Sequence, residues 1–260
     1  MKLSQYAVAI SGLLLTAGAS QAAISVLATA SAVTAADSGP GNYTLSAEGA
    51  GIRDGIYSYA FNAGANSDML VVSVSTEASS EAWSVSYGGV TMNLATQSAL
   101  GSGTSVFYLA NPSATGSIAI NFTAKTTVNG IGLGIASLNG QGEEIAFDNG
   151  VSANSTTTIN LTTNFNDSFV IFAGDANTTS GSVSLSSPLT TIFAGPSDIG
   201  SNQAAAGYEN EVAAGSNDYT WIPGGSARGI SAAAFYAVPE PSAALLGSLG
   251  LLALLRRRRA

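Results

Sequence analysis

The chain has 260 residues and a formal net charge of −8, with 46% hydrophobic residues, only 9% charged ones, and neither cysteine nor histidine. The missing His and Cys exclude Ser-His-Asp and Cys-His catalysis, His- or Cys-ligated metals and disulfide staples. A charged fraction so far below the ~25% of ordinary domains leaves the soluble surface to Ser, Thr, Asn and Gly.

The chain opens on Met1-Lys2, a minimal basic start, and runs into the mostly apolar stretch Ala7 to Ala17 with Leu13-Leu14-Leu15 at its centre. Ser20-Gln21-Ala22 then places small residues at the −3 and −1 positions of a cut between Ala22 and Ala23. Residues 1–22 are therefore expected to be a signal-peptide helix that is removed on export.

From Ala23 onward the hydrophobic period is two. Asp68 to Thr76 sets Leu70, Val72 and Val74 on one face, and Ala82 to Tyr87 alternates Trp83, Val85 and Tyr87 with serines. Thr104 to Leu109 carries Val106 and Tyr108 opposite Phe107 and Leu109, Ser117 to Thr123 and Thr157 to Thr163 alternate apolar with small or polar residues, and Phe169 to Phe172 is a wholly apolar run suited to a central strand. Ala204 to Ala214 is ambiguous between helix and strand, and Ile230 to Val238 reads as the last strand. Such segments, rich in β-branched and aromatic residues and separated by turn residues every 8–12 positions, predict antiparallel strands. The body, residues 23–237, is expected to be an all-β antiparallel sandwich or jelly roll, a monomer needing no disulfide. No repeat of fixed period is visible, which argues against a solenoid.

Of the eight basic residues only Arg53, Lys125 and Arg228 fall in the body, against fifteen acidic ones, a net charge of −12. No basic patch is available for phosphates, so nucleic acid is not an expected partner. The acidic clusters Glu143-Glu144 with Asp148, and Glu209 with Glu211, do not suit a glycosidase pair. Such a pair must flank one bond, and adjacent strand residues point to opposite faces. Asp175, Asn177, Asp198 and Asn202 lie in turn-rich sequence and carry the oxygen ligands that Ca²⁺ takes, but without EF-hand spacing; ordinary Asx turns are the commoner use. Tyr219 and Trp221 share one face of a strand beside Asn217 and Asp218. That is a possible sugar-stacking pair, against the more usual core packing of a sandwich's Trp.

The chain closes on a three-part segment, residues 238–260. Pro239-Glu240-Pro241 holds the backbone extended. Ala243 to Leu255, with Leu245, Leu246, Leu249, Leu251, Leu252, Leu254 and Leu255, predicts a helix that is apolar apart from Ser248. Arg256, Arg257, Arg258 and Arg259 follow as a cytoplasmic stop. Ser242 to Leu255 reaches only about 20 Å as a helix, against a hydrocarbon core of ~30 Å. The arginine run still favours a membrane span over a core helix.

These three parts, in this order, resemble the PEP-CTERM sorting signal of exopolysaccharide-producing Gram-negative bacteria. The body pattern Tyr87-Gly88-Gly89-Val90, then Val106 to Pro112, then Gly116 leading into Ile118 to Thr123, is similar to that of bacterial secreted and surface β-sandwiches. The first resemblance implies an inner-membrane-tethered precursor that an exosortase, a membrane protease, cuts near Pro239-Glu240-Pro241. The body would then pass to the cell surface or matrix beside extracellular polysaccharide, as a non-catalytic protein without a cofactor. The rival expectations are a carbohydrate-binding module of the same matrix and, further off, a polysaccharide-acting enzyme.

Overall fold

The computed structural model describes residues 22–34, 42–47, 53–76, 83–98, 103–122, 131–177, 182–196 and 202–238, and every regular element among them is a β-strand. The expected leader helix and sorting helix lie outside the described residues.

The strands of the first half are β1 (Ser25–Thr34), β2 (Asn42–Ala47), β3 (Arg53–Asn62), β4 (Met69–Thr76), β5 (Trp83–Tyr87), β6 (Val90–Thr91), β7 (Asn93–Gln97), β8 (Thr104–Ala110), β9 (Thr115–Phe122) and β10 (Ile131–Asn139). The second half holds β11 (Glu144–Asn154), β12 (Thr158–Thr163), β13 (Ser168–Asn177), β14 (Ser184–Leu185), β15 (Thr190–Pro196), β16 (Asn202–Val212), β17 (Gly215–Ile222) and β18 (Ser226–Val238). All strand pairings are antiparallel.

The halves share one topology. The first half forms a sheet in the order β1-β10-β4-β8-β7 and a second in the order β2-β3-β9-β5-β6. The second half forms β11-β18-β13-β16-β15 and β12-β17-β14. Setting β1, β3, β4, β5, β7, β8, β9 and β10 beside β11 to β18 reproduces the strand order of both sheets. β2 and β6 are then additional edge strands of the first half. The chain thus repeats once at the level of the fold, although its sequence shows no period.

Three buried clusters lie between successive sheets. Leu70, Val72, Val85, Tyr87, Ile118, Ile120 and Leu133 fill the first half's sandwich, and Leu161, Val170, Phe172, Tyr219, Trp221, Ile230 and Ala232 fill the second's. The third cluster joins the halves: Met69, Val71, Val106 and Leu138 of the β4-containing sheet meet Phe169, Ile171, Ala233 and Phe235 of the β13-containing sheet. Both of these central sheets are therefore covered on both faces, which is why β4 and the first eight residues of β10 are buried at every position. A doubly covered strand has no polar face, so its sequence runs apolar or small instead of alternating.

Small residues bring the two central sheets together. A Cβ on Gly134 of β10 would lie 2.3 Å from the Ala206 Cβ of β16, and one on Gly132 would lie 2.9 Å from the Ala204 Cβ. Polar groups in this seam pair across it: Ser75 Oγ donates to Gly174 O at 3.1 Å, and the Thr104 and Ser231 hydroxyls lie 3.0 Å apart.

Turn chemistry matches the sequence. Tyr87 pairs with Val90 across Gly88 (φ 56°) and Gly89 (φ 84°), the two left-handed residues that a tight two-residue hairpin requires.

Candidate functional site

Both ends of the described fold leave it at one place. β10 ends at Asn139, and Gly140 to Glu143 turn the chain into β11, with the Glu143 N–H donating to Gly140 O at 3.1 Å. The Gly140 N–H donates to Asp68 Oδ2 at 2.7 Å, which ties this turn to the first half. Ala22 N–H donates to Glu143 Oε2 at 3.2 Å, so the incoming chain is held on this turn. The next residue, Glu144, is the backbone partner of Val238, the last residue of β18. Pro239, outside the described residues, follows Val238 directly, with no residue between a paired strand and the Pro239-Glu240-Pro241 motif. β18 is an interior strand, hydrogen-bonded to β11 on one side and, up to Phe235, to β13 on the other, so the segment carrying the motif follows directly on a paired strand.

At the expected cleavage point, Ala22 and Ala23 are half-buried, Ile24 is buried at 1% exposure, and β1 begins at Ser25. An open cavity of about 600 Å³ adjoins this point, lined by Ala23 and Gln141 with Tyr208, Glu209, Asn210 and Glu211 of β16. A register shift where β16 pairs with β13 falls at Asn210 and Glu211, and Glu211 has φ 58°. This β-bulge re-aims the side chains at the cavity wall.

The acidic residues that the sequence singles out are dispersed over structural tasks. Asp148 is the extra residue at a register shift between β11 and β18, and its two oxygens accept the backbone N–H (2.8 Å) and the side-chain amide (2.7 Å) of Asn164. Glu209 lies beside the hydroxyl of Tyr219. Burial foremost, and then the charge of Glu209, push that hydroxyl's pKa well above the ordinary tyrosine range.

Tyr219 and Trp221 do share a face, but it is the inner one. They are 1% and 0% exposed, in the core of the second sandwich. Gly174 makes room for the indole, since a Cβ there would lie 2.8 Å from its ring. The sugar-stacking use of this pair is corrected accordingly: neither ring offers a face to a ligand. Sequence reading passed over a different aromatic pair, Phe165 and Tyr236, stacked at 3.7 Å between centroids with Phe165 37% exposed. Lying in a turn and at a strand end, it carries no alternation signal of its own.

Asp175, Asn177 and Asn202, expected in turns, lie instead in β13 and β16, with Asn177 opposite Asn202; Asp198 lies outside the described residues. Among the described residues no group of three or more Asp, Glu, His or Cys is placed to hold a metal ion. No helix among them is long and apolar enough to cross a membrane. Pro239, Glu240, Pro241, the leucines from Leu245 to Leu255 and Arg256 to Arg259 all lie outside the described residues.

No protein-family model matches the chain, and no curated protein does. Two solved structures are similar at a distance. One is a conserved protein of unknown function from Pseudomonas aeruginosa, PA5104, at 12% identity and TM-score 0.28, covering 81% of this chain and all of that one. The other is GK1651 from Geobacillus kaustophilus, at 9% identity and TM-score 0.23, covering 85% of this chain and all of that one. At such scores neither carries an argument about this chain.

Proposed function

We propose that this chain is an exported, non-catalytic protein of the cell surface or extracellular matrix, held briefly in the inner membrane by residues 238–260 and released when an exosortase-type protease cuts near Pro239-Glu240-Pro241. Its described part is then two jelly rolls joined through their central sheets. The observation that supports this most is the sequence of the tail, proline motif, then apolar segment, then arginine cluster, starting at the residue after β18. A tether of so few residues keeps the folded body within about 15 Å of the bilayer, since the four residues from Pro239 to Ser242 extend ~3.3–3.6 Å each. The low charge and the surface rich in Ser, Thr, Asn and Gly suit a hydrated polysaccharide matrix, which would be the partner after release.

The work divides along the tail. The prolines present an extended backbone for a protease cleft. The leucines supply insertion energy and the arginines oppose translocation of the C-terminus. With an epitope tag after Ala260, Glu240→Ala is expected to leave uncut, tagged protein in the membrane fraction, while the wild type loses its tag before reaching the surface. Replacement of Arg256 to Arg259 by serine is expected to weaken retention instead. A tag that accompanies the surface-exposed body at all times contradicts the reading.

A further inference from the structure

The new N-terminus made by leader removal has a positive charge to place, and the fold has a site for it. We infer that the α-ammonium of the mature chain, borne on Ala23, pairs with the Glu143 carboxylate and fastens β1 to the turn that joins the two halves. The inference rests on the proposed export and on the leader cut between Ala22 and Ala23 that the sequence predicts.

Glu143 Oε2 already accepts the N–H of Ala22 at 3.2 Å. A cut after Ala22 moves the first nitrogen of the chain on by one residue, a step of about 3.8 Å between neighbouring Cα atoms. The same cut turns a neutral donor into a charged one. Little slack remains to carry the ammonium elsewhere. Ile24 is buried one residue on, and Ser25 is paired with Asn139, to whose carbonyl its hydroxyl also donates at 3.3 Å.

The surroundings suit a cation. Ala23 lines the same cavity as Glu211, with Gln141, Asn210 and Tyr208, and among the described residues no Lys or Arg lines it. Asn210 Oδ1 is buried and has no hydrogen-bond partner among the described residues, which adds one more acceptor to that wall. Charge-assisted hydrogen bonds are roughly twice as strong as neutral ones. Processing would thereby complete the fold: only the cut chain carries an ammonium at the joint between its halves.

The test is a thermal double-mutant cycle on the chain from Ala23 to Ala260, solubilised with its tail intact. One change converts the N-terminal amine to a ketone by pyridoxal-phosphate transamination, and the other is Glu143→Gln. Loss of the charge is expected to lower Tm by about 2–4 °C with Glu143 present, and by much less in Glu143→Gln. An equal drop in both backgrounds, or no drop with Glu143 present, overturns the pairing, as does a drop abolished by Glu211→Gln alone. Should Glu143→Gln fail to fold, the Tm difference between amine and ketone forms is followed against salt. It shrinks as screening rises if an ion pair causes it, and a salt-independent difference overturns the pairing. N-terminal sequencing of exported protein tests the leader reading separately: a start other than Ala23 defeats that reading, while the cycle still decides the pairing.

Discussion

Adding one methyl group at Gly134 tests whether the two halves stack through their central sheets. A Cβ there would stand 2.3 Å from the Ala206 Cβ and 2.6 Å from the Ser73 Oγ. Carbon atoms in contact rest at about 3.5–4.0 Å, so β10 and β16 would have to separate by more than an ångström locally. The Ser73 hydroxyl can rotate away, giving up its 3.2 Å bond to Gly134 O, but the Ala206 methyl has no freedom. Overpacking of this kind costs about 1–3 kcal/mol, reduced by the ~0.5–1 kcal/mol that a strand gains from Ala over Gly. Ala206→Gly alone should cost about 1–2 kcal/mol, from the lost buried methyl and the freer backbone. The double variant Gly134→Ala/Ala206→Gly moves the methyl from one sheet to the other and should recover about 1 kcal/mol or more relative to the sum of the singles. Urea denaturation followed by tryptophan fluorescence measures all four proteins. Strict additivity would mean that the two side chains do not meet, and the face-to-face stacking would be refuted.

Trp221→Ala should destabilise by about 3–5 kcal/mol, because the indole is fully buried against Gly174; a loss below 1 kcal/mol in the same urea assay would place the ring at the surface. The raised pKa of Tyr219 predicts that stability is flat through neutral pH and falls above pH ~10, where the unfolded phenol ionises while the folded one resists. Phenolate absorbance should show one tyrosine that titrates only as the fold is lost, and Tyr219→Phe should flatten the decline. Gly103→Ala should prevent folding, since φ is 59° and the new Cβ would collide with the Thr76 carbonyl; a folded variant by circular dichroism would contradict the packing of β4 against β8. The body, at net charge −12, should bind no duplex DNA at moderate salt, and a salt-sensitive mobility shift at micromolar protein would count against the exclusion.

Strands with one exposed face were legible, because alternation survives there. β12, buried at every second residue from Ile159, is the plainest example, and it falls within one residue of its expected bounds. Strands of the central sheets were harder to read. β10 (IGLGIASLN) keeps Ile131, Leu133 and Ile135 for the first sandwich but spends Gly132 and Gly134 on close approach to the opposite sheet, so its second covered face leaves no apolar signal. β16 stayed ambiguous because Ala204, Ala205 and Ala206 point to both covered faces, where alanine fits and period carries no information. The apolar run at Phe169 to Phe172 was the available sign of a doubly covered strand. The doubling of the fold was not legible, since strand order is conserved between the halves while residue identities are not.

At the candidate site, legibility followed chemistry. Pro-Glu-Pro, a leucine-rich run and four arginines form a linear signal that needs no fold to be read. Glu143 looked like one of several surface acids, because its use depends on β10, β11 and the incoming chain meeting at one turn. Tyr219 and Trp221 shared a strand face as expected, but which face was decided by β13, β16 and β18 of the opposite sheet packing over it.

Intact-mass and terminal-peptide mass spectrometry of the protein recovered from the cell surface tests the central proposal most directly. The account predicts one species that begins at Ala23, ends near Pro239-Glu240-Pro241 and lacks Leu245 to Arg259. A surface species that retains Arg256 to Arg259 would contradict it.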